Sequence, residues 1–497
     1  MKQPLNVVNS LFEQWNSNKI LYCHWKSNEH LYEGLIGETD LDILVDYSMK
    51  EKAEESLTMS GYHKFLPQYG SRYDLVDDWI ACDSETGRLI HIHLHYKMIT
   101  GHKGLKEYDL PWTELALSTR IMHSEFPVYV IDPNLEIIVL VARMSLKATV
   151  FKSFKVSIGR YVMSKDDKRE MSYLLDLADR DKVYSYLKRY FSSDADELLE
   201  RIFSKKYSEN WYKITSNIIR KHLKSCDRYK PFTMIVRIYY YLVLCARLVL
   251  KKKLGIALIT RKTCSKGSII AFVGQDGAGK STVSDEVVKW LTWKIDAKKY
   301  YLGSGEHYHS WQKSLRSKIK RNSGLEGKVK SLLTISDLCH IAKVTYRKMT
   351  KAKRYSEKGG IAIFDRYPQM QFEGINDGPK IRYNLKKQKL PTIVRTIALH
   401  YASVEEKYIN KAIKVQPDLV FKMLLPPEES IRRKPEENLE NVKQKHEIIK
   451  DLSFDKSEIV PVDATQDFTK ELISIHNNIW NCIICENELP VYFKAGS

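Results

Sequence analysis

The sequence predicts an α/β protein of more than one domain, and three observations carry that expectation. From Ser268 onward short apolar runs alternate with helical stretches, the order that a parallel sheet with helical crossovers requires. One of those runs, residues 268–273, passes directly into a glycine-rich turn and then a helix. The length, 497 residues, exceeds what one hydrophobic core holds.

Taken along the chain, residues 1–133 mix short β-branched runs (43–45, 89–94 and 128–131) with helical stretches, as in a small α/β or α+β domain. Residues 134–253 form a helical middle region, because apolar positions recur at spacings of three and four over 135–148, 168–190 and 211–223. Residues 254–267 read as a linker, and residues 268–497 as the second α/β domain. Within 234–250 an apolar stretch is interrupted by Arg237 and Arg247. That is too short for a membrane span, which takes about twenty residues. A buried or interdomain helix is expected there, with an interfacial helix as the second reading.

Composition excludes some classes. At 43% apolar and 28% charged residues, disorder and collagen-like repeats are out. The first fourteen residues lack the basic-then-apolar layout of a secretion signal, and the eight cysteines are scattered except for Cys482 and Cys485. A cytoplasmic setting is expected, with peripheral attachment to a membrane left open. The Cys482–Cys485 pair has no second pair to complete a zinc site and reads as helix packing. The net charge of +19 is concentrated. Residues 204–262 hold fifteen Lys and Arg against Glu209 and Asp227, and residues 311–354 hold thirteen against Glu326 and Asp337. Such tracts suit phosphate-bearing ligands, nucleic acid or an anionic membrane surface, or are solvated helix faces.

The turn after residues 268–273 is Gly274-Gln275-Asp276-Gly277-Ala278-Gly279-Lys280-Ser281, with Thr282 continuing into the helix. Glycines let backbone N–H groups converge on phosphate oxygens, and the helix start adds its positive dipole end. Lys280 is expected to reach the β- and γ-phosphates of ATP, and Ser281 to bind Mg2+. Further on, Gly360–Pro368 is a buried strand ending in Asp365-Arg366-Tyr367. Ligands gather at such carboxyl ends, so Asp365 is expected either to hold magnesium through water or to orient the acceptor, and Arg366 to clamp an acceptor phosphate. Residues 417–425 give a third strand, followed by Arg432 and Arg433, which can close over a transferring phosphoryl group. Residues 458–464 give a last strand and turn.

The phosphate loop with Asp276 inside it, the Asp365-Arg366-Tyr367 strand end, the Pro417-Asp418-Leu419 strand and the later arginine pair resemble the thymidylate kinase family over residues 268–480. The resemblance implies a five-stranded parallel sheet with helices on both faces and a lid. It implies transfer of the ATP γ-phosphate to a nucleoside monophosphate, with Asp276 on the acceptor sugar and Arg366 on its phosphate. The chain departs from the family at residues 303–306, at 369–374 and in the basic insert 311–354. A different phosphate-bearing acceptor therefore stays open, as does a homodimer.

Nearer the start, Asp40 and Asp42 lie two residues apart on a strand, so both face one way and can share a divalent metal. Cys23-His24-Trp25-Lys26-Ser27 precedes them by the gap found in the nucleotidyltransferase superfamily, which residues 22–96 resemble. Lys26 stands where that superfamily has a glycine. On the candidate strand for its third acid, His91, His93 and His95 alternate instead. They are either metal ligands, His93 foremost, or the polar face of an edge strand. The expectation is thus an ATP- and Mg2+-dependent kinase behind a nucleotidyltransferase-like domain. The rivals are an NTP-dependent switch on nucleic acid or membrane, and nucleotidyl transfer to a sugar phosphate or protein.

Overall fold

The computed structural model describes residues 3–67, 73, 75–102, 105–147, 163–254, 260–302, 326–375, 377–387, 391–436 and 438–485. The expected features at 303–306 and over 311–325 of the basic insert lie outside these residues. The chain forms two compact units, Met1–Arg261 and Lys262–Ser497.

The first unit is built on a mixed sheet. Its strands are β1 (Tyr22–His24), β2 (Leu41–Val45), β3 (His63–Pro67), β4 (Val76–Cys82) and β5 (Leu89–His95), with the two-residue β6 (Ile99–Thr100), β7 (Tyr108–Asp109), β8 (Ile121–Met122) and β9 (Tyr129–Val130). The spatial order is β10-β3-β4-β5-β2-β1-β9-β8, where β10 (Arg261–Thr263) begins with the last residue of the unit; β6 and β7 pair separately. β2 runs parallel to β5, and β4 antiparallel to it. Side chains alternate across the pleat. Leu41, Ile43, Ile90, Ile92 and Leu94 therefore share one core with Val8, Leu11, Phe12 and Trp15 of the helix Asn6–Ser17. Asp42 and the three histidines fall on the opposite face.

That opposite face carries the helical region. The helices Pro133–Leu146, Lys165–Leu177, Arg180–Phe191, Ala195–Phe203 and Glu209–His222 share a single core with Cys23, Trp25 and Leu44. The helical region is thus packed onto the strands and is no separate middle body. The single helical stretch expected over 168–190 is two helices, because Ala178 is extended and the Asp179 carboxylate accepts from the N–H groups of Asp181 and Lys182 (2.9 and 3.1 Å). Residues 254–267 are not wholly linker, since Arg261–Thr263 is a strand. The helix Thr233–Leu254 is also corrected: Met234, Ile235, Ile238, Tyr239 and Leu242 are exposed, so it is not buried as its apolar content led us to expect. Among the described residues no helix is long and apolar enough to cross a membrane.

The second unit has a five-stranded, all-parallel sheet in the order β12-β13-β11-β14-β15: Ala297–Tyr300, Ile361–Phe364, Ile269–Gly274, Leu419–Leu424 and Glu458–Asp463. β11 lies at the centre, buried along its length to Val273. Ile269, Ala271 and Val273 pack with Met349 and Ala352 of the helix Glu326–Ser356, while Phe272 stacks on Phe421 at 5.0 Å between ring centroids. Cys482 is buried and Cys485 exposed on the helix Phe468–Cys485.

Candidate functional site

In the second unit β11 ends at Gly274, and the helix Lys280–Thr292 begins six residues later. Gly277 and Gly279 have φ of 85° and 79°, a left-handed backbone that side chains with a Cβ rarely adopt. The turn between strand and helix therefore depends on both. Lys280 is buried, and its Nζ donates to the Gln275 carbonyl at 2.7 Å. Burial, and next the charge of Arg366, lowers its pKa to about 8. Thr282 follows on the exposed side of the helix.

Asp365 comes from the end of β13, beside β11, as the strand order requires. Ser281 Oγ donates to its Oδ2 at 3.4 Å, and Lys299 Nζ lies 3.9 Å from the same oxygen. Asp365 Oδ1 is buried with no hydrogen-bond partner among the described residues, and burial raises the carboxyl pKa. A carboxylate oxygen left bare beside a serine hydroxyl suits a hard divalent cation, so these residues fit Mg2+. Asp276 accepts from Lys445 Nζ at 2.7 Å, which with Lys280 and Arg366 holds its carboxyl below the usual range although burial opposes this. Arg366 lies between Asp276 (3.6 Å) and Asp377 (3.7 Å). These side chains, with Lys380 and Tyr367, line a cavity of about 220 Å³ against the phosphate loop.

The two later arginines part company. Arg433 reaches the loop, with its guanidinium 3.5 Å from the Gly277 carbonyl and 3.1 Å from that of Ala464. Arg432 is exposed and pairs with Glu429 of its own short helix, Pro427–Arg433. Gln275 is buried and its amide reaches the Leu425 carbonyl, while Ser430 Oγ donates to the Asp276 carbonyl at 2.8 Å. Ala278 is buried within the loop. Lys299, Asp377, Lys380 and Lys445 escaped the sequence analysis. Asp377-Gly378 is a turn dipeptide that marks the loop but not its destination; Lys445 sits on the helix Leu439–Asp451 with no motif around it.

In the first unit Asp42 lies on β2 and Asp40 immediately before it, both reaching towards β5. His93 Nδ1 is 3.3 Å from Asp42 and 4.0 Å from Asp40. β5 is interior to the sheet, between β4 and β2, so the histidine face is not that of an edge strand. His91 and His95 are fully buried, with His91 Nδ1 2.7 Å from Asp40 and His95 Nε2 3.2 Å from Asp42. A third carboxylate does stand on a neighbouring strand: Asp78 on β4, opposite His93 in the register and 2.9 Å from His91 Nε2. Sequence reasoning missed it because only the β4–β5 pairing brings it near. Lys26 Nζ lies 2.8 Å from Asp42, and Arg261 Nε 2.7 Å from Asp78. Burial favours the protonated form of both acids. It is outweighed for Asp42 by Lys26 and hydrogen bonds from His93 and His95, and for Asp78 by a hydrogen bond from His91 together with Arg261. Both carboxyls are held well below their ordinary range.

No family model matches the chain. It is 25% identical over 217 residues to the uncharacterized ATP-binding protein YghR of Escherichia coli K12, a match covering 41% of this chain and 83% of the relative. It is 26% identical over 213 residues to the uncharacterized ATP-binding protein YghS of the same strain, covering 39% and 85%. Among solved structures, the deoxyadenosine kinase of M. mycoides with dCMP and dCDP bound matches at 17% identity, over 43% of this chain and 100% of that one, with a TM-score of 0.28. A likeness so loose supports no inference.

Proposed function

We propose that the second unit binds ATP with Mg2+ and transfers the γ-phosphate to a nucleoside monophosphate or a related phosphate-bearing acceptor. The observation that carries this reading is the meeting of Lys280 and Ser281 with Asp365 at the carboxyl ends of adjacent parallel strands. The likeness to two proteins described as ATP-binding supports the nucleotide, and the resemblance of residues 268–480 to thymidylate kinases supports the reaction.

In this reading the amides of residues 274–281 wrap the β-phosphate and Lys280 spans the β- and γ-phosphates. Ser281 and Asp365 would hold magnesium, which would screen the charge of the transferring group. Arg366, released from Asp276 and Asp377, takes the acceptor's phosphate by its planar fork, leaving those carboxylates for acceptor hydroxyls. Arg433 stands at the loop's edge to face developing charge, and Arg432 reaches inward only if its helix moves.

The test is incubation of the full chain with γ-labelled ATP and a panel of nucleoside monophosphates. Label should pass to at least one of them, and Lys280→Ala should abolish the transfer. Equal transfer by that variant, or ATP hydrolysis with label passing to no acceptor in a panel widened to sugar phosphates, refutes the proposal.

A further inference from the structure

We infer that the carboxylate cluster of the first unit carries two built-in cations, the Lys26 ammonium and the Arg261 guanidinium, in place of the divalent ion expected at Asp40, Asp42 and His93. The spacing alone would admit an ion. In each of two triads, Asp40–His91–His93 and Asp42–His93–His95, one candidate ligand atom per residue lies within 4.8 Å of the others. The occupancy of those atoms decides otherwise.

On Asp42, Oδ1 already faces Lys26 Nζ at 2.8 Å, His95 Nε2 at 3.2 Å and His93 Nδ1 at 3.3 Å. Asp78 Oδ1 faces Arg261 Nε at 2.7 Å, His91 Nε2 at 2.9 Å and His93 Nε2 at 3.2 Å. Both triads need a lone pair from His93. A guanidinium only donates, so Arg261 Nη2, 2.9 Å from His93 Nε2, takes the lone pair there and leaves Nδ1 as the N–H turned to Asp42. With a second proton the ring would be a further cation. In neither form does it offer a free lone pair to an ion.

The two cations are also held in place. The Lys26 side chain is 14% exposed and that of Arg261 9%. Lys26 Nζ sits 4.6 Å from the centroid of the Trp25 ring, which packs edge-on against His95. A dication entering either triad would meet these fixed positive charges at contact distance. The lysine occupies the sequence position where the resembling superfamily has glycine, so the residue that departs from that pattern is the one that neutralises Asp42.

The experiment is a Mn2+ titration of the full chain without nucleotide, followed by electron paramagnetic resonance and repeated with Zn2+ against a chromophoric chelator. Wild type and Asp42→Asn should bind the same number of equivalents. Lys26→Gly combined with Arg261→Met, which frees the His93 lone pair, should gain one equivalent of Mn2+ or Zn2+, and Asp42→Asn added to the pair should remove that ion. Lys26→Met replaces Lys26→Gly if the glycine variant does not fold. A wild-type chain that binds one equivalent more than Asp42→Asn overturns the inference, and so does a folded variant lacking both Lys26 and Arg261 that gains no ion.

Discussion

Replacing Lys280 by alanine isolates what one ammonium contributes to holding a triphosphate. This group is already out of water, with the Gln275 carbonyl at 2.7 Å as its partner. An arriving phosphate exchanges that neutral acceptor for anionic oxygens, so little new desolvation offsets the gain. A hydrogen bond to a charged group contributes about 1.5–3 kcal/mol net. At about 1.4 kcal/mol per tenfold, MgATP should bind about 10–150-fold more weakly to Lys280→Ala at pH 7. Isothermal titration calorimetry measures this directly. The pH profile gives the same group a second signature. Because its pKa is lowered to about 8, the lysine is charged at pH 7 and binding is flat below that. Above pH 8 the lysine must take up a proton on binding, so wild-type affinity should fall about tenfold per pH unit while the alanine variant stays level. A dissociation constant within twofold of wild type, with parallel pH profiles, would refute the assignment of Lys280 to the phosphates.

Asp365→Asn should raise the Mg2+ concentration needed for half-maximal turnover by roughly tenfold or more while the chain keeps its thermal midpoint, as a metal titration of the rate would show. Phe272→Ala removes a ring stacked on Phe421 in the centre of the sheet; it should destabilise the second unit by about 3–5 kcal/mol, measured by urea unfolding. Glu136 is buried, accepts from the Asn28 backbone and amide at 3.0 and 2.7 Å, and burial raises its pKa to about 7. The folded state then holds a proton that the unfolded state releases. Stability from this group is complete below about pH 4.5 and declines as pH rises to 7. Glu136→Gln should flatten that decline in a series of melts across the window.

The phosphate loop was legible because strand, turn and helix are neighbours in the chain, and its geometry depends on residues within fourteen positions of one another. The strand ending at Asp365 was legible for the same local reason. What escaped was decided by pairing across the sheet or by packing. Asp78 joins Asp42 only because β4 and β5 form an antiparallel pair that sets it opposite His93. Asp377 and Lys445 reach the loop from elements with no signature of their own. The helical region looked like a separate body because periodicity reports that a helix has an apolar face, not what covers it; here Cys23, Trp25 and Leu44 cover it. In the helix Thr233–Leu254 composition misled in the other direction, since a mostly apolar sequence left many of its side chains uncovered.

Asp418, one of the residues on which the kinase resemblance rests, sits at the end of the sheet away from the phosphate loop. Its carboxylate accepts from the Ile269 N–H at 2.6 Å, its own N–H donates to the Ile269 carbonyl at 2.8 Å, and its carbonyl accepts from Glu458 at 3.0 Å. One residue thus fixes where three neighbouring strands begin, and with them how far each extends before it turns. The distance between Lys280 and the loops beyond β14 and β15 is gauged from this far end. A chain altered at position 418 would keep every group that touches nucleotide and still present them out of step.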